Sequence, residues 1–220
     1  MINDIIYLDY NANAPILDKV KDDIMQNLNL FGNPSAIHSL GKNINENIES
    51  SRQLILKLFN AMKCKIIFTS SGTESNNLIL KKIKNIDYFL TSSSEHYSVL
   101  NVRKDFQIIK VNENGLLDLE DLEKKLKQLN SKKFLLSTML VNNENGVVQP
   151  IKKISEVVKK YGGFLHCDAA QAIGKMKIDF DDLGIDSMTL SSHKFGGPIG
   201  VSGLIIRNHL NLALSTPVEL

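Results

Sequence analysis

Short apolar runs alternate with helical patterns along most of this chain, and that alternation restricts the folds open to it more than any other feature. Helical periodicity, with apolar residues returning every three or four positions, covers residues 16–30 and 44–60. A strand pattern follows at 65–69, then a helix over 73–83, a short strand over 87–91, a helix over 95–103 and a strand over 106–111. A polar-faced helix over 119–129 precedes the run 134–141. That run shows no in-out alternation, as befits a strand buried on both faces. Pro150 stands where prolines open helices, ahead of a helix over 151–161, and Gly162-Gly163 stops it. Strands over 164–168, 187–190 and 203–206 complete the pattern. Strands separated by helices form βαβ units, so the predicted fold class is α/β, a mostly parallel sheet covered by helices on both faces.

At 220 residues the chain can bury a full core. Its 26 basic and 24 acidic residues are intermixed, leaving a net charge of +2 and no basic face, which argues against nucleic acid or anionic membrane as partners. No apolar run approaches the roughly 20 residues that span a bilayer. Met1-Ile2-Asn3-Asp4 does not open a targeting signal. Two cysteines, Cys64 and Cys167, are too few for a disulfide framework, so a reducing cytoplasm is the expected compartment. No metal site is expected.

Open sheets of this kind place ligands at the carboxyl ends of their strands, and here the polar clusters follow the strands. Thr69-Ser70-Ser71-Gly72-Thr73-Glu74 joins a strand to a helix. Its hydroxyls can cap, and the free N–H groups of a helix start attract phosphate, although a plain capping turn reads the same way. Glu95-His96 follows three serines; the histidine could stack on a planar ligand, move protons, or only cap a helix. Asn142-Asn143-Glu144-Asn145-Gly146 offers two amides at a strand end, or an ordinary Asn-rich turn.

Phe164, His166 and Asp168 share one side of their strand, and Leu165 and Cys167 the other. Asp168 is an acid at the end of an apolar strand and needs a partner there. A protonated pyridine nitrogen would be one. In Ser191-Ser192-His193-Lys194-Phe195-Gly196-Gly197, a lysine lies between an apolar strand and a glycine turn. Desolvation would lower its pKa, which suits Schiff-base chemistry; a solvent-facing loop lysine is the plainer alternative. An acid, an amine and a phosphate-binding helix start are together the three needs of pyridoxal phosphate.

The order of these clusters resembles that of the cysteine desulfurases (NifS/IscS-like) of the class V pyridoxal-phosphate-dependent aminotransferase family. The likeness runs from Tyr7-Leu8-Asp9-Tyr10 through Gly32-Asn33-Pro34-Ser35, the 68–77 segment, Glu95-His96, Val141-Asn142-Asn143-Glu144 and Asp168-Ala169-Ala170-Gln171 to Ser192-His193-Lys194. It implies the large domain of a fold type I enzyme, with 1–15 as an N-terminal segment and 16–220 as an incomplete cofactor-binding domain. By the same resemblance Lys194 would carry the cofactor and shuttle protons, Asp168 would hold the pyridine nitrogen protonated and His96 would stack on the ring. Gln171 and Asn143 would meet the ring hydroxyl. Gly72, Thr73, Ser191 and His193 would bind phosphate, and Ser192, at a position where a small residue is usual, would join them in the cofactor-binding set.

The family's chemistry turns L-cysteine into alanine and passes sulfur to iron–sulfur assembly, which implies an amino-acid substrate, a homodimer and a scaffold protein as partner. Two departures stand out. Asn13-Ala14-Pro15 replaces Thr-Thr-Pro, and the small domain with the sulfur-attacking cysteine is expected to be missing, leaving apolar surface uncovered. Cys64, ahead of the first strand, and Cys167, a buried strand thiol, are not expected to replace that cysteine. Another reaction on the same cofactor, such as selenocysteine lysis, or a non-catalytic remnant that binds a full-length relative, are the competing expectations.

Overall fold

In a computed structural model, residues 5–130 and 132–213 are described. The termini of the expected 1–15 and 16–220 segments, at 1–4 and 214–220, lie outside the described residues. Helices α1 (Asp18–Asn27) and α2 (Ser39–Leu58) lead into β1 (Cys64–Thr69), α3 (Gly72–Lys82), β2 (Tyr88–Ser92), α4 (Tyr97–Leu100) and β3 (Gln107–Ile109). Then come α5 (Leu119–Gln128), β4 (Phe134–Met139), α6 (Ile151–Lys160), β5 (Phe164–Asp168), α7 (Phe180–Leu183), β6 (Ser187–Ser191) and β7 (Ser202–Arg207).

The strands form one seven-stranded sheet in the order β1-β7-β6-β5-β4-β2-β3. The ladders β2·β3, β2·β4, β4·β5 and β5·β6 are parallel, as the helix-separated strands predict. Strand β7 is antiparallel to both β6 and β1. The cause lies in its connection: only a glycine turn joins β6 to β7, and parallel pairing needs a crossover of a dozen residues or more.

The sheet is buried on both faces. Leu136 of β4 and Leu165 and Cys167 of β5 pack with Leu122, Ile154 and Phe180 from α5, α6 and α7. Leu135 and the partly buried Phe164 pack on the other side with Ile79 and Leu80 of α3 and Val99 of α4. The expected division of β5 side chains between its two faces is therefore present. Behind it, Gly163 leaves room for the buried Phe134 ring, which a Cβ at 163 would meet at 2.1 Å.

Two local expectations need correction. The helix over 95–103 is only the four residues of α4. Glu95 points inward, where it accepts the Met139 N–H at 2.9 Å. Arg103 lies over the Phe89 ring at 3.7 Å and donates to the Leu80 carbonyl, fastening the chain where a longer helix would have continued. Cys64 is not ahead of the first strand but its first residue, buried and opposite Arg207. No described helix is long and apolar enough to cross a membrane.

Candidate cofactor site

A cavity of about 520 Å³ opens where the parallel strands end. Its floor is set by β5 and β6, which are hydrogen-bonded neighbours with Asp168 opposite Thr189. Asp168 is 7% exposed. Its Oδ1 accepts the Ala170 N–H at 3.0 Å and its Oδ2 accepts the Asn76 side-chain N–H at 2.8 Å, so the carboxylate has one orientation.

Lys194 ends a short 3-10 turn, Ser192–Lys194, that follows β6 directly. Its side chain reaches the same cavity as Asp168. Desolvation holds its pKa below the usual lysine value, and the charge of Lys175 adds to that, against the opposing carboxylates of Asp168 and Asp9. The ammonium donates to the carbonyls of Asn11 and Ala12 at 2.7 and 2.9 Å. The N-terminal segment thus arches over Lys194. It is pinned there by Ala14 N–H to the His193 carbonyl, Leu17 N–H to the Gly196 carbonyl and the Gln171 amide to Asn11 O. This contribution of Asn11 and Ala12 was not among the expected site residues, because sequence spacing alone does not tell which distant loop will cover a lysine.

Helix α3 opens on the cavity. The Ser71 hydroxyl accepts the Glu74 N–H at 3.1 Å as a helix cap, while Gly72 and Thr73 form part of the cavity wall. Ser191, nearly buried, stands across from Gly72, whose missing Cβ would lie 3.5 Å from the Ser191 Cβ. His193 also lines the space, and its Nδ1 contacts Asn13 Oδ1 at 3.1 Å. Burial, with Lys194 close by, holds the His193 pKa below the ordinary value.

His96 does two things that the sequence left as alternatives. Its Nδ1 accepts the Ser98 N–H at 3.0 Å and so caps α4, and its ring lines the cavity. The two amides after β4 divide their work. Asn142 is buried, donates to the Ser94 carbonyl and accepts the N–H groups of Glu144 and Asn145, shaping the turn. Asn143 instead lines the cavity, as does Gln171. Ser192 does not: its hydroxyl is held by the carbonyls of Pro198 and Val201, inside the glycine turn. Its place in the site is therefore to shape the turn that carries Lys194. No group of three or more potential metal ligands is found among the described residues.

The set of groups suits a phosphorylated pyridine aldehyde. An oriented carboxylate, a desolvated amine and a hydroxyl-rich helix start surround a space large enough for a small cofactor.

Comparison with known proteins agrees with this chemistry. The Aminotransferase class-V family matches residues 6–219. A mitochondrial cysteine desulfurase of Eremothecium gossypii is 40% identical over 92% of this chain and 44% of its own length. The cysteine desulfurase IscS of Dictyoglomus turgidum is 38% identical over 92% of this chain and 54% of its own. The chain thus spans about half the length of these relatives. Among solved structures, a NifS-like protein from Rickettsia africae superposes with a TM-score of 0.90 at 38% identity, over 96% of this chain and 61% of that one. A structure described as SspA in complex with cysteine gives a TM-score of 0.84 at 33% identity, over 93% and 62%. Proteins of these families depend on pyridoxal phosphate. The chain belongs to the class-V aminotransferase family and is a homologue of the IscS- and NifS-like cysteine desulfurases.

Proposed function

We propose that this chain binds pyridoxal 5′-phosphate in the cavity between Asp168 and Lys194 and forms the cofactor-binding large domain of a cysteine desulfurase. The reaction would take L-cysteine to L-alanine, with the sulfur passed to a scaffold protein of iron–sulfur assembly in the cytoplasm. The observation that carries the reading is the convergence of Asp168 and Lys194 on one cavity from adjacent strand ends. The cysteine held by the SspA structure supports a thiol-bearing amino acid as substrate.

When bound, the cofactor withdraws electrons from the substrate's α-carbon and weakens the bonds there. The chain's own groups have these tasks. Asp168 keeps a proton on the pyridine nitrogen through its fixed carboxylate. Lys194 supplies the amine that attaches the cofactor and afterwards moves a proton, which its lowered pKa favours. His96 flanks the ring. Gln171 and Asn143 meet the ring hydroxyl, and Gly72, Thr73, Ser191 and His193 receive the phosphate.

The apolar side chains exposed on the N-terminal part, among them Leu17, Met25, Leu28, Phe31 and Leu54, support a second chain as partner, in a homodimer. A different reading is favoured by the cysteines. Both are buried, so a reaction that needs no protein thiol, such as selenocysteine lysis, suits the described residues.

The test is reconstitution. The purified chain mixed with pyridoxal phosphate should gain the visible absorption of the bound cofactor, and borohydride should fix a pyridoxyl group on Lys194. Absence of both would remove the cofactor reading. With dithiothreitol present as the two-electron reductant, alanine and sulfide from L-cysteine, compared with alanine and selenide from L-selenocysteine, separate the two reactions.

A further inference from the structure

Asn76 lies within α3 and is completely buried, yet four side chains meet its amide. Its Nδ2 donates to Asp168 Oδ2 at 2.8 Å and to Ser98 Oγ at 2.9 Å. Its Oδ1 is met by the Thr189 hydroxyl at 2.7 Å and by His166 Nε2 at 3.1 Å. The direction of every one of these bonds follows from one end. A carboxylate only accepts, so the NH₂ group of Asn76 must face Asp168. The oxygen then faces Thr189 and His166, and both must donate. His166 is therefore the Nε2–H tautomer, and its Nδ1 accepts from the Ser187 hydroxyl at 2.9 Å. Burial keeps His166 neutral, which this arrangement requires.

The second amide hydrogen fixes another wall. Ser98 Oγ accepts from Asn76, which leaves its own hydrogen for His96 Nδ1 at 2.9 Å. The Ser98 backbone N–H donates to the same nitrogen. His96 in its neutral form thus carries its proton on Nε2. One buried side chain connects the acid of β5 with the histidine ahead of α4, and Asp168, His96 and Ser98 all line the cavity.

We propose that Asn76 is a positioning residue: its amide sets the orientation of the Asp168 carboxylate and, by occupying the Ser98 oxygen, turns the Ser98 hydroxyl hydrogen toward His96 as a second hold on that ring. A purely structural amide would be served by any buried partners. Here two of its bonds lead to cavity walls, and the other two fix which way the amide faces. The proposal rests on the cofactor reading for its purpose, but the network itself can be measured without cofactor.

The first arm is long-range proton–nitrogen NMR on the cofactor-free, nitrogen-15-labelled chain. His166 is expected as a neutral ring with the proton on Nε2, and the neutral form of His96 with its proton on Nε2 as well. A His166 proton on Nδ1 would reverse the amide and overturn the proposal. The second arm measures pyridoxal phosphate affinity and the visible spectrum of the bound form. Asn76→Ala should weaken binding roughly ten-fold or more, the effect of losing one hydrogen bond to a charged group. Asn76→Asp preserves shape and is the safer variant should the alanine fail to fold.

The introduced carboxyl would meet Asp168 and His166 of β5 directly, with His96 one hydrogen bond further on beyond Ser98; buried Glu95, near Asp168, is pushed toward its neutral form by burial and by the Asp168 charge. Repulsion from Asp168 favours the protonated form, which can still donate one hydrogen to that carboxylate. Binding by Asn76→Asp should therefore approach native affinity at low pH and fall, relative to the native chain, as pH rises. Native-like affinity and spectrum across pH in both variants would overturn the proposal. Failure of the unaltered chain to bind pyridoxal phosphate would instead count against the cofactor reading, and the tautomer measurement would still decide the network.

Discussion

Asp168 ends β5 and Lys194 ends the turn that follows β6, so an acid and an amine reach one cavity from two hydrogen-bonded parallel strands. Their surroundings differ. Asp168 is nearly buried and accepts two hydrogen bonds from fixed donors. Among the described residues, Lys194 is held only by two carbonyls of the overlying N-terminal segment. The acid is part of the scaffold, and the amine can leave its contacts without disturbing the core.

Substitution should separate the two. Lys194→Ala is expected to abolish the borohydride-fixed pyridoxyl adduct while costing about 1 kcal/mol of stability or less, because desolvation of the amine offsets much of what its two carbonyl bonds contribute. Asp168→Ala leaves the donors of Asn76 and Ala170 unpaired, so it should cost about 1–3 kcal/mol and weaken cofactor binding as well. Urea denaturation and equilibrium dialysis measure the two effects. Equal stability losses in both variants would contradict this division.

Much of this arrangement is legible in the sequence, because it depends on local patterns. Alternating strand and helix periodicities imply parallel strands, and polar clusters after 69, 141, 168 and 191 imply that a site forms at their ends. Other features depend on tertiary contacts that no local pattern records. Asn76 reads as one more polar residue near a helix start; only packing against β5 and β6 buries it. Asn11 and Ala12 cover Lys194 because the N-terminal segment is pinned to the turn after β6 by Ala14 and Leu17. The reversal of β7 was visible in principle, since the glycine turn before it leaves no room for a crossover helix. Ser192 fell among cavity residues in the motif, but its hydroxyl faces the turn.

Asn142 and Asn143 are adjacent in sequence and different in consequence. Asn142 makes three hydrogen bonds to backbone while buried, so Asn142→Ala should lose about 1–3 kcal/mol in denaturant unfolding. Among the described residues, Asn143 bonds only to the exposed Glu144 side chain, and it faces the cavity. Asn143→Ala should leave stability within about 0.5 kcal/mol and weaken cofactor or amino-acid binding instead. A stability loss at 143 as large as that at 142 would show that the cavity side chain also holds the turn.

His166 gives the fold a defined acid sensitivity. Burial lowers its pKa from 6.5 to about 3, so the folded chain keeps the ring neutral where the unfolded chain would protonate it. Folding is thus linked to proton release. The contribution is fully present above pH 6.5 and is lost as pH falls from there toward 3, by at most about 1.4 kcal/mol per pH unit. Other groups titrate in the same window, so the measurement is a difference. His166→Gln keeps a donor for Asn76 and removes the titration, and its unfolding free energy should fall less steeply with acid than that of the native chain. Parallel slopes would mean that His166 protonates equally easily in both states.

The thiols lead to the last expectation. Cys64 is buried at the start of β1, and desolvation pushes its pKa up to about 11. Cys167, fully buried on the β5 face opposite Asp168, is raised further from reactivity by burial and by the charges of Asp168 and Glu95. Sulfur transfer needs an accessible thiolate, and at neutral pH neither group provides one. Iodoacetamide should therefore label the folded chain slowly and modify both cysteines promptly in denaturant. Because the Cys64 pKa rises on folding, its contribution to stability is present below the ordinary thiol range and is lost as pH climbs toward 11. If the chain, loaded with pyridoxal phosphate and given L-cysteine, were found by mass spectrometry to carry a persulfide on Cys64 or Cys167, the burial argument would be wrong. The expected result is an unmodified chain, with sulfur leaving only when an external thiol is added.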